Sequence, residues 1–299
     1  MTLSMYRLLA TGSIVAIAAG AVFLFLRKRN KPEKRGKILV CEPSLTSLEE
    51  RYLRQAFRST FISGGAGSFK DRLEKEFSAL CGCKFGICTA NGTVAINLAL
   101  AAAGLRAGDE VIMPSFTYVA TAAAVVTAGG VPVFVDCDDL GLMDPAAVKL
   151  ALSDRTRFII AVHIYGHPAD MDAILDIARP KGIIVIEDAA EAHGAQYKGR
   201  PVGSLGHLST FSFYANKVMT TGEGGIVVTN DQALAKRLVF LRGHAMSGDR
   251  RFWHTEVGYN FRLSNLQCAV GVAQLERLGE LLAGRERVVQ RYRRRLEGA

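Results

Sequence analysis

From residue 85 onward, short and continuously apolar runs alternate with segments in which apolar residues recur at helical spacing. Short apolar runs bounded by turn residues are typical of strands buried on both faces, as in parallel sheets covered by helices. Strands are predicted at residues 86–89, 110–113, 131–135, 158–162, 182–186, 208–213 and 225–229. The pattern therefore predicts an α/β fold built on a mostly parallel seven-stranded sheet.

Helices are predicted before, between and after these strands, where apolar residues follow the helical period. Their ranges are 47–58, 67–80, 93–103, 118–128, 145–151, 171–178 and 275–296. In an open sheet of this kind, ligands bind at the carboxyl ends of the strands. Polar residues at those ends are therefore the candidates for a functional site.

Residues 8–26 form a run of 19 positions without a charged side chain. As a helix this run would be about 28 Å long, close to the hydrocarbon thickness of a bilayer. A signal peptide is the competing interpretation, but the run ends in alternating Phe and Leu rather than in small residues. We therefore predict a single-span membrane anchor.

The segment 27–37 is a basic linker, and its seven basic residues and one Glu contribute +6 to the net charge of +9. Basic residues next to a membrane span stay on the cytoplasmic side. We therefore expect a short tail at residues 1–7 across the membrane and a globular domain at residues 38–299 that faces the cytoplasm. A mitochondrial membrane is an open alternative, because no acidic residue precedes Glu33.

Beyond the linker the chain is close to neutral, so its charge does not indicate a nucleic-acid partner. The arginine run at 285–295 is interpreted as a solvated helix face. Six scattered cysteines lack metal-ligand spacing, and we expect them to be reduced thiols rather than a metal site.

Lys217 is the most informative candidate, because it lies between an apolar strand at 208–213 and a glycine-rich turn at 222–225. Such an arrangement can hold one amine on a rigid element, as a Schiff-base lysine requires. Asp188 ends another apolar strand and could pair with the ring nitrogen of pyridoxal phosphate (PLP). The alternative is that Asp188 only caps the next helix. Glu191 and His193 follow closely, and this density of titratable groups favours a functional site.

Weaker candidates lie at other strand ends and further downstream. Asn91-Gly92-Thr93 joins a strand to a helix, where backbone N–H groups suit a phosphate, although a simple capped turn has the same sequence. Tyr118 could stack on a flat cofactor or pack in the core. The remaining candidates are Ser212, as a phosphate-binding hydroxyl, and the polar and aromatic segment Tyr259-Asn260-Phe261-Arg262.

In their order along the chain, these segments resemble the DegT/StrS-type sugar aminotransferases. These proteins are fold-type-I PLP enzymes that act on nucleotide-linked keto sugars, and the resemblance extends from about residue 38 to the C-terminus. The segments that carry it are Asn91–Thr93, Pro114–Tyr118, His163–His167, Glu187–Gly194, Ser212 to Gly225 with Lys217, and Gly258–Asn265. The segments Glu187–Gly194 and His244–Arg262 are most similar to members that place an amine on C4 of a GDP-linked 4-keto-6-deoxy sugar, with glutamate as the donor.

The resemblance implies a role for each candidate. Lys217 would bind the aldehyde of PLP and then move the proton of the reacting carbon. The implied cofactor contacts are Asp188 at the pyridine nitrogen, Tyr118 on the ring, Glu191 beside the ring hydroxyl, and Gly92, Thr93 and Ser212 at the phosphate. Asn260 would reach the phosphate in the neighbouring subunit, so a homodimer is expected. The implied substrate-binding residues are His163, Tyr165, His193 and Arg262.

Family members continue into a small C-terminal domain beyond the equivalent of Ala299, so we expect the sequence to lack this domain. Two further functions are open alternatives. One is another PLP reaction on similar sugars, such as 3-amination. The other is a non-catalytic homologue that serves as a scaffold.

Overall fold

A seven-stranded sheet is the centre of the structure, a computed structural model that describes residues 39–298. The strands are β1 (Phe85–Thr89), β2 (Glu110–Pro114), β3 (Val131–Val135), β4 (Thr156–Val162), β5 (Ile184–Asp188), β8 (Leu208–Ser212) and β9 (Gly225–Thr229), and a small hairpin is formed by β6 (Gln196–Tyr197) and β7 (Arg200–Pro201). Their order in the sheet is β1-β9-β8-β5-β4-β2-β3. Neighbours from β8 to β3 run parallel, whereas β9 is antiparallel to both β8 and β1. The predicted fold class, an α/β protein with a mostly parallel seven-stranded sheet, is confirmed.

Helices pack around this sheet. They are α1 (Ser47–Arg58), α2 (Ser68–Leu80), α3 (Gly92–Ala102), α4 (Val119–Thr127), α5 (Pro145–Ala151), α6 (Met171–Ala178), α7 (Gln232–Arg242), α8 (Asn265–Glu276) and α9 (Leu278–Leu296), with 3-10 turns at Ile164–Gly166 and Arg179–Lys181. Local sequence explains several helix starts. Thr46 with Glu49, and Ser264 with Gln267, form capping boxes at α1 and α8.

The edge strand β1 is closed by side chains instead of by another strand. Glu74 of α2 accepts a hydrogen bond from the Cys88 N–H at 2.9 Å, and Arg242 of α7 donates to the Cys88 carbonyl oxygen at 2.8 Å. Glu74 and Arg242 also pair with each other at 2.6 Å. Because an open strand edge invites pairing with other chains, this ion pair protects the edge of the sheet.

The helix prediction needs two corrections. α7 and most of α8 were not predicted, and the predicted helix at 275–296 is divided between α8 and α9 by a non-helical Arg277. α8 is buried on nearly every side, so it lacks the one-sided apolar period on which the prediction depends. The strand boundaries agree within two residues, and β4 and β5 show the largest differences.

The predicted tail, anchor and linker at residues 1–37 lie outside the described residues. Within residues 39–298, no helix is both long enough and apolar enough to cross a bilayer.

Candidate active site

A cavity of about 740 Å³ opens at the carboxyl ends of β4, β5 and β8, beside the N-termini of α3 and α4. It brings together most of the predicted site residues. They are Gly92, Thr93, Tyr118, His163, Tyr165, Asp188, Glu191, Ser212 and Lys217. Because parallel strands end at one edge of a sheet, residues far apart in sequence meet here, as the strand pattern predicts.

Lys217 is held by its backbone in the turn that follows β8. Its N–H donates to the Tyr214 carbonyl at 3.0 Å, and the guanidinium of Arg285 donates to the Lys217 carbonyl at 3.1 Å. The buried Met219 packs in the core two residues later. The turn is therefore fixed from the sheet side and from α9, which leaves the side chain of Lys217 to enter the cavity.

The amine of Lys217 pairs with Glu191. The Nζ atom lies 3.0 Å from Oε1 of Glu191, and the two side chains are 18% and 34% exposed. The other carboxylate oxygen of Glu191 accepts a hydrogen bond from the Tyr165 N–H at 2.9 Å. Lys217 is thus a positioned amine on a rigid turn, with an acid at hydrogen-bond distance.

Asp188 is the last residue of β5 and is buried at the floor of the cavity. Its Oδ2 accepts a hydrogen bond from the Thr121 hydroxyl at 2.7 Å, and its Oδ1 accepts one from the Ala190 N–H at 3.3 Å. Burial raises the pKa of Asp188, and these two hydrogen bonds only oppose that effect. A cation placed against this carboxylate would favour its charged form. The protonated pyridine nitrogen of PLP fits that requirement.

The first turn of α3 suits the phosphate of the same cofactor. Asn91 caps the helix, since its side chain accepts the Val94 N–H at 2.9 Å. The N–H groups of Gly92 and Thr93 belong to the first turn, where intrahelical acceptors do not exist. A Cβ atom at Gly92 would lie 2.8 Å from Cβ of Ser212, so only glycine allows α3 to approach β8 this closely. An amine, a buried acid and a helix N-terminus with a hydroxyl therefore surround one cavity, and these residues fit PLP.

His163 lies at the cavity, but both of its ring nitrogens are used inside the protein. Nδ1 accepts a hydrogen bond from the Ala169 N–H at 3.1 Å, so the proton is on Nε2, which lies 3.0 Å from Oε2 of Glu187. Glu187 is fully buried and also accepts three backbone N–H groups of the loop at 203–206. The ring of His163 therefore ties β4 and β5 to this loop, and because it also lines the cavity, the substrate role predicted for His163 remains a prediction.

His193 lies in the core and does not line the cavity. Its ring centroid is 5.5 to 6.1 Å from those of Phe77, Phe211 and Phe213, and neither nitrogen has a hydrogen-bond partner of ordinary geometry among the described residues. Burial, followed by the charge of Lys217, lowers the pKa of His193 to about 3. His193 therefore lies in the core, apart from the cavity, and the substrate role predicted for it remains a prediction.

The segment at 259–262 lies apart from the cavity of its own chain. Asn260 is exposed and forms an isolated bridge with Gly243, while Arg262 lies 3.3 Å from the His244 ring. The roles predicted for Asn260 and Arg262 remain predictions.

Two residues at the site were missed. In the sequence, Thr121 is part of an alanine-rich helical segment, and Arg285 belongs to a run of arginines that was interpreted as solvated. Thr121 contacts Asp188 across 67 positions, and Arg285 contacts Lys217 across 68. No local sequence signal marks contacts of this separation.

The fold and this site define the class, a PLP-dependent aminotransferase. The profile described as the DegT/DnrJ/EryC1/StrS aminotransferase family matches residues 43–299. The chain belongs to this family, which confirms the resemblance found in its sequence.

Relatives and solved structures agree with this assignment. The chain is 48% identical to "GDP-perosamine synthase" of Caulobacter vibrioides, over 87% of this chain and 70% of that protein. It is 43% identical to a UDP-N-acetyl-3-dehydro-alpha-D-glucosamine 3-aminotransferase of Acidithiobacillus ferrooxidans, over 80% of this chain and 64% of that protein. The PLP form of the putative sugar aminotransferase Spr1654 of Streptococcus pneumoniae superimposes with a TM-score of 0.83 at 28% identity, over 88% and 72% of the two chains. The chain thus spans about two thirds of the length of these relatives.

Proposed function

We propose that this chain carries the PLP site of an aminotransferase that moves an amino group from glutamate to a GDP-linked 4-keto-6-deoxy sugar. The observation that carries the proposal is the pair formed by Lys217 and the buried Asp188 in one cavity. The identity of 48% to a protein named GDP-perosamine synthase supports the choice of sugar.

PLP, when bound, supplies an aldehyde that captures the donor amine and a ring that withdraws electrons from the reacting carbon. The residues of this chain would transfer the proton and hold the cofactor in place. Lys217 Nζ would take the proton from the donor carbon and deliver it to the carbon of the former aldehyde, while Glu191 at 3.0 Å holds the amine in position. Asp188 holds the positive charge at the ring nitrogen. Gly92, Thr93 and Ser212 hold the phosphate, and so orient the group relative to Lys217.

The substrate side of the site and the oligomeric state belong to the same proposal. Tyr118 and Tyr165 are 76% and 80% exposed at the cavity, where a ligand or a second subunit would cover them. The exposed Asn260 supports a homodimer in which it reaches the neighbouring phosphate. Sedimentation equilibrium tests the homodimer. A purely monomeric protein at micromolar concentration would exclude a site that two subunits share.

The first experiment is borohydride reduction of the purified, PLP-incubated protein, followed by peptide mass mapping. We expect a phosphopyridoxyl adduct on Lys217. Lys217→Arg keeps a positive charge for Glu191 but cannot form the bond, so it should give none. Lys198→Ala, which removes an exposed lysine paired with Asp172, is the control and should keep the adduct. Folded wild-type protein without an adduct on Lys217 would exclude the enzyme and favour the scaffold.

The 3-aminotransferase remains a second candidate, because the chain is 43% identical to a protein of that name. A panel of 3-keto and 4-keto nucleotide sugars, offered to protein already loaded with the amino group by glutamate, separates the two. Turnover of the 3-keto substrate alone would replace the proposed reaction.

We also propose, from the sequence, that residues 8–26 anchor the domain to a membrane with the linker 27–37 on the cytoplasmic side. Alkaline extraction of membranes from cells that express the full chain tests this anchor. Full-length protein should stay in the pellet, and a variant that starts at residue 38 should not. Complete release of the full chain would contradict the proposal.

A further inference from the structure

Glu191 is bound at both of its carboxylate oxygens. Oε1 accepts a hydrogen bond from Nζ of Lys217 at 3.0 Å, and Oε2 accepts one from the N–H of Tyr165 at 2.9 Å. One side chain therefore joins the catalytic lysine to the 3-10 turn Ile164–Gly166, which follows a different strand of the sheet.

That turn has an unfavourable backbone. Tyr165 has φ 51° and ψ 22°, in the left-handed region that residues with a side chain rarely adopt. Gly166 has φ 84°, and a Cβ atom there would lie 3.1 Å from the carbonyl oxygen of Glu191. Such a conformation persists only where surrounding contacts impose it. The Gly166 N–H donates to the His163 carbonyl at 3.1 Å within the turn, and the contact from outside it is the hydrogen bond of the Tyr165 N–H to the Glu191 side chain.

The consequence of the turn is the position of an aromatic ring. The side chain of Tyr165 lines the cavity together with Phe116, and the two ring centroids are 6.3 Å apart. Both rings are at least half exposed. Aromatic faces at the mouth of a cavity suit the apolar face of a sugar or a flat nucleotide base.

We propose that Glu191 is a positioning residue for the nucleotide-sugar substrate, in addition to its contact with Lys217. By accepting the N–H of Tyr165, it fixes the left-handed turn that holds the aromatic ring at the cavity. The substrate part of this inference rests on the proposed function. The turn itself does not, and it can be tested without the cofactor.

The test is amide hydrogen exchange of the peptide 163–169 in cofactor-free protein. In Glu191→Ala the Tyr165 amide loses its acceptor, and its exchange should become about tenfold faster. Glu191→Gln keeps a carbonyl oxygen that can accept, so its effect should be smaller. Glu223→Gln is the matched control, because Glu223 lines the same cavity, and its exchange at Tyr165 should equal that of the wild type. Unchanged exchange in Glu191→Ala would overturn the inference.

A second measurement tests whether Glu191 acts through Tyr165. GDP serves as the probe, and its dissociation constant is measured by calorimetry for Glu191→Ala, Tyr165→Ala and the double variant. We expect the double variant to bind no more weakly than Tyr165→Ala, because coupled residues are not additive. Additive losses would overturn the substrate part. GDP that fails to bind wild-type protein would count against the proposed substrate, while the exchange measurement still decides the turn.

Discussion

At the scale of single residues, Asp188 shows how the site is prepared for a cation. Burial raises its pKa, against the hydrogen bonds from Thr121 and Ala190. A carboxyl whose folded pKa is raised stabilises the fold below its ordinary pKa, and this contribution is lost as the pH rises through the raised value. Above the raised pKa the cofactor-free protein therefore bears the cost of a buried charge, which a positive ring nitrogen would remove.

We expect Asp188→Asn to slow the half-reaction without lowering the free energy of unfolding. The new amide can donate to the Thr121 hydroxyl, which lies 2.9 Å from the Thr117 hydroxyl, and its carbonyl can still accept from Ala190. The free energy of unfolding without PLP should therefore be equal or higher. The half-reaction with glutamate should slow by about 100-fold, as for loss of one preorganised charge partner. Stopped-flow absorbance measures that rate, and a variant with wild-type rate would contradict the role of Asp188.

At the scale of secondary structure, the ion pair of Glu74 and Arg242 closes the outer edge of β1. We expect Glu74→Ala to lower the free energy of unfolding by about 3 kcal/mol, because it leaves the Cys88 N–H without an acceptor and the buried guanidinium of Arg242 without a counter-charge. Urea denaturation measures this.

The control for that variant lies on the same helix. Glu76 pairs with the partly exposed Arg72, so Glu76→Ala makes the same change of charge without uncovering a buried group. Its cost should be below about 1 kcal/mol. Equal costs for the two variants would mean that the edge contacts of Glu74 add nothing to an ordinary surface pair.

The elements also show what the sequence could and could not predict. Lys217, Asp188 and Glu191 were predicted to meet, because parallel strands bring their carboxyl ends to one edge. The orientation of the His193 ring could not be predicted, since a strand-end pattern does not say whether a ring turns toward the cavity or toward Phe77 and the core. The hydrogen bond from Arg285 to the Lys217 carbonyl depends on how α9 packs. The sequence does not distinguish Arg285 from the other arginines of the run at 285–295.

At the scale of the whole molecule, two buried groups make the fold sensitive to acid over different ranges. The pKa of His193 is lowered from 6.5 to about 3, chiefly by burial. That of Glu49 is lowered from 4.5 to about 2, because hydrogen bonds from Thr46, Arg277 and Gln274 outweigh the effect of burial. In both cases the unfolded chain binds the proton more readily, so stability is lost as the pH falls from the ordinary value toward the lowered one. Of these two groups, only His193 contributes to the change of stability between pH 7 and pH 5.

His193→Phe should therefore flatten the response to mild acid. A neutral histidine with these values loses about 2 kcal/mol of stability between pH 7 and pH 5, and a phenylalanine in the same aromatic cluster loses none. The absolute stability also changes because Phe is larger, so the informative quantity is the difference between the two pH values in urea denaturation. His167→Gln, which removes an exposed histidine, is the control. If His193→Phe kept the full wild-type difference, the acid sensitivity would have to come from another group, and the lowered pKa of His193 would be wrong.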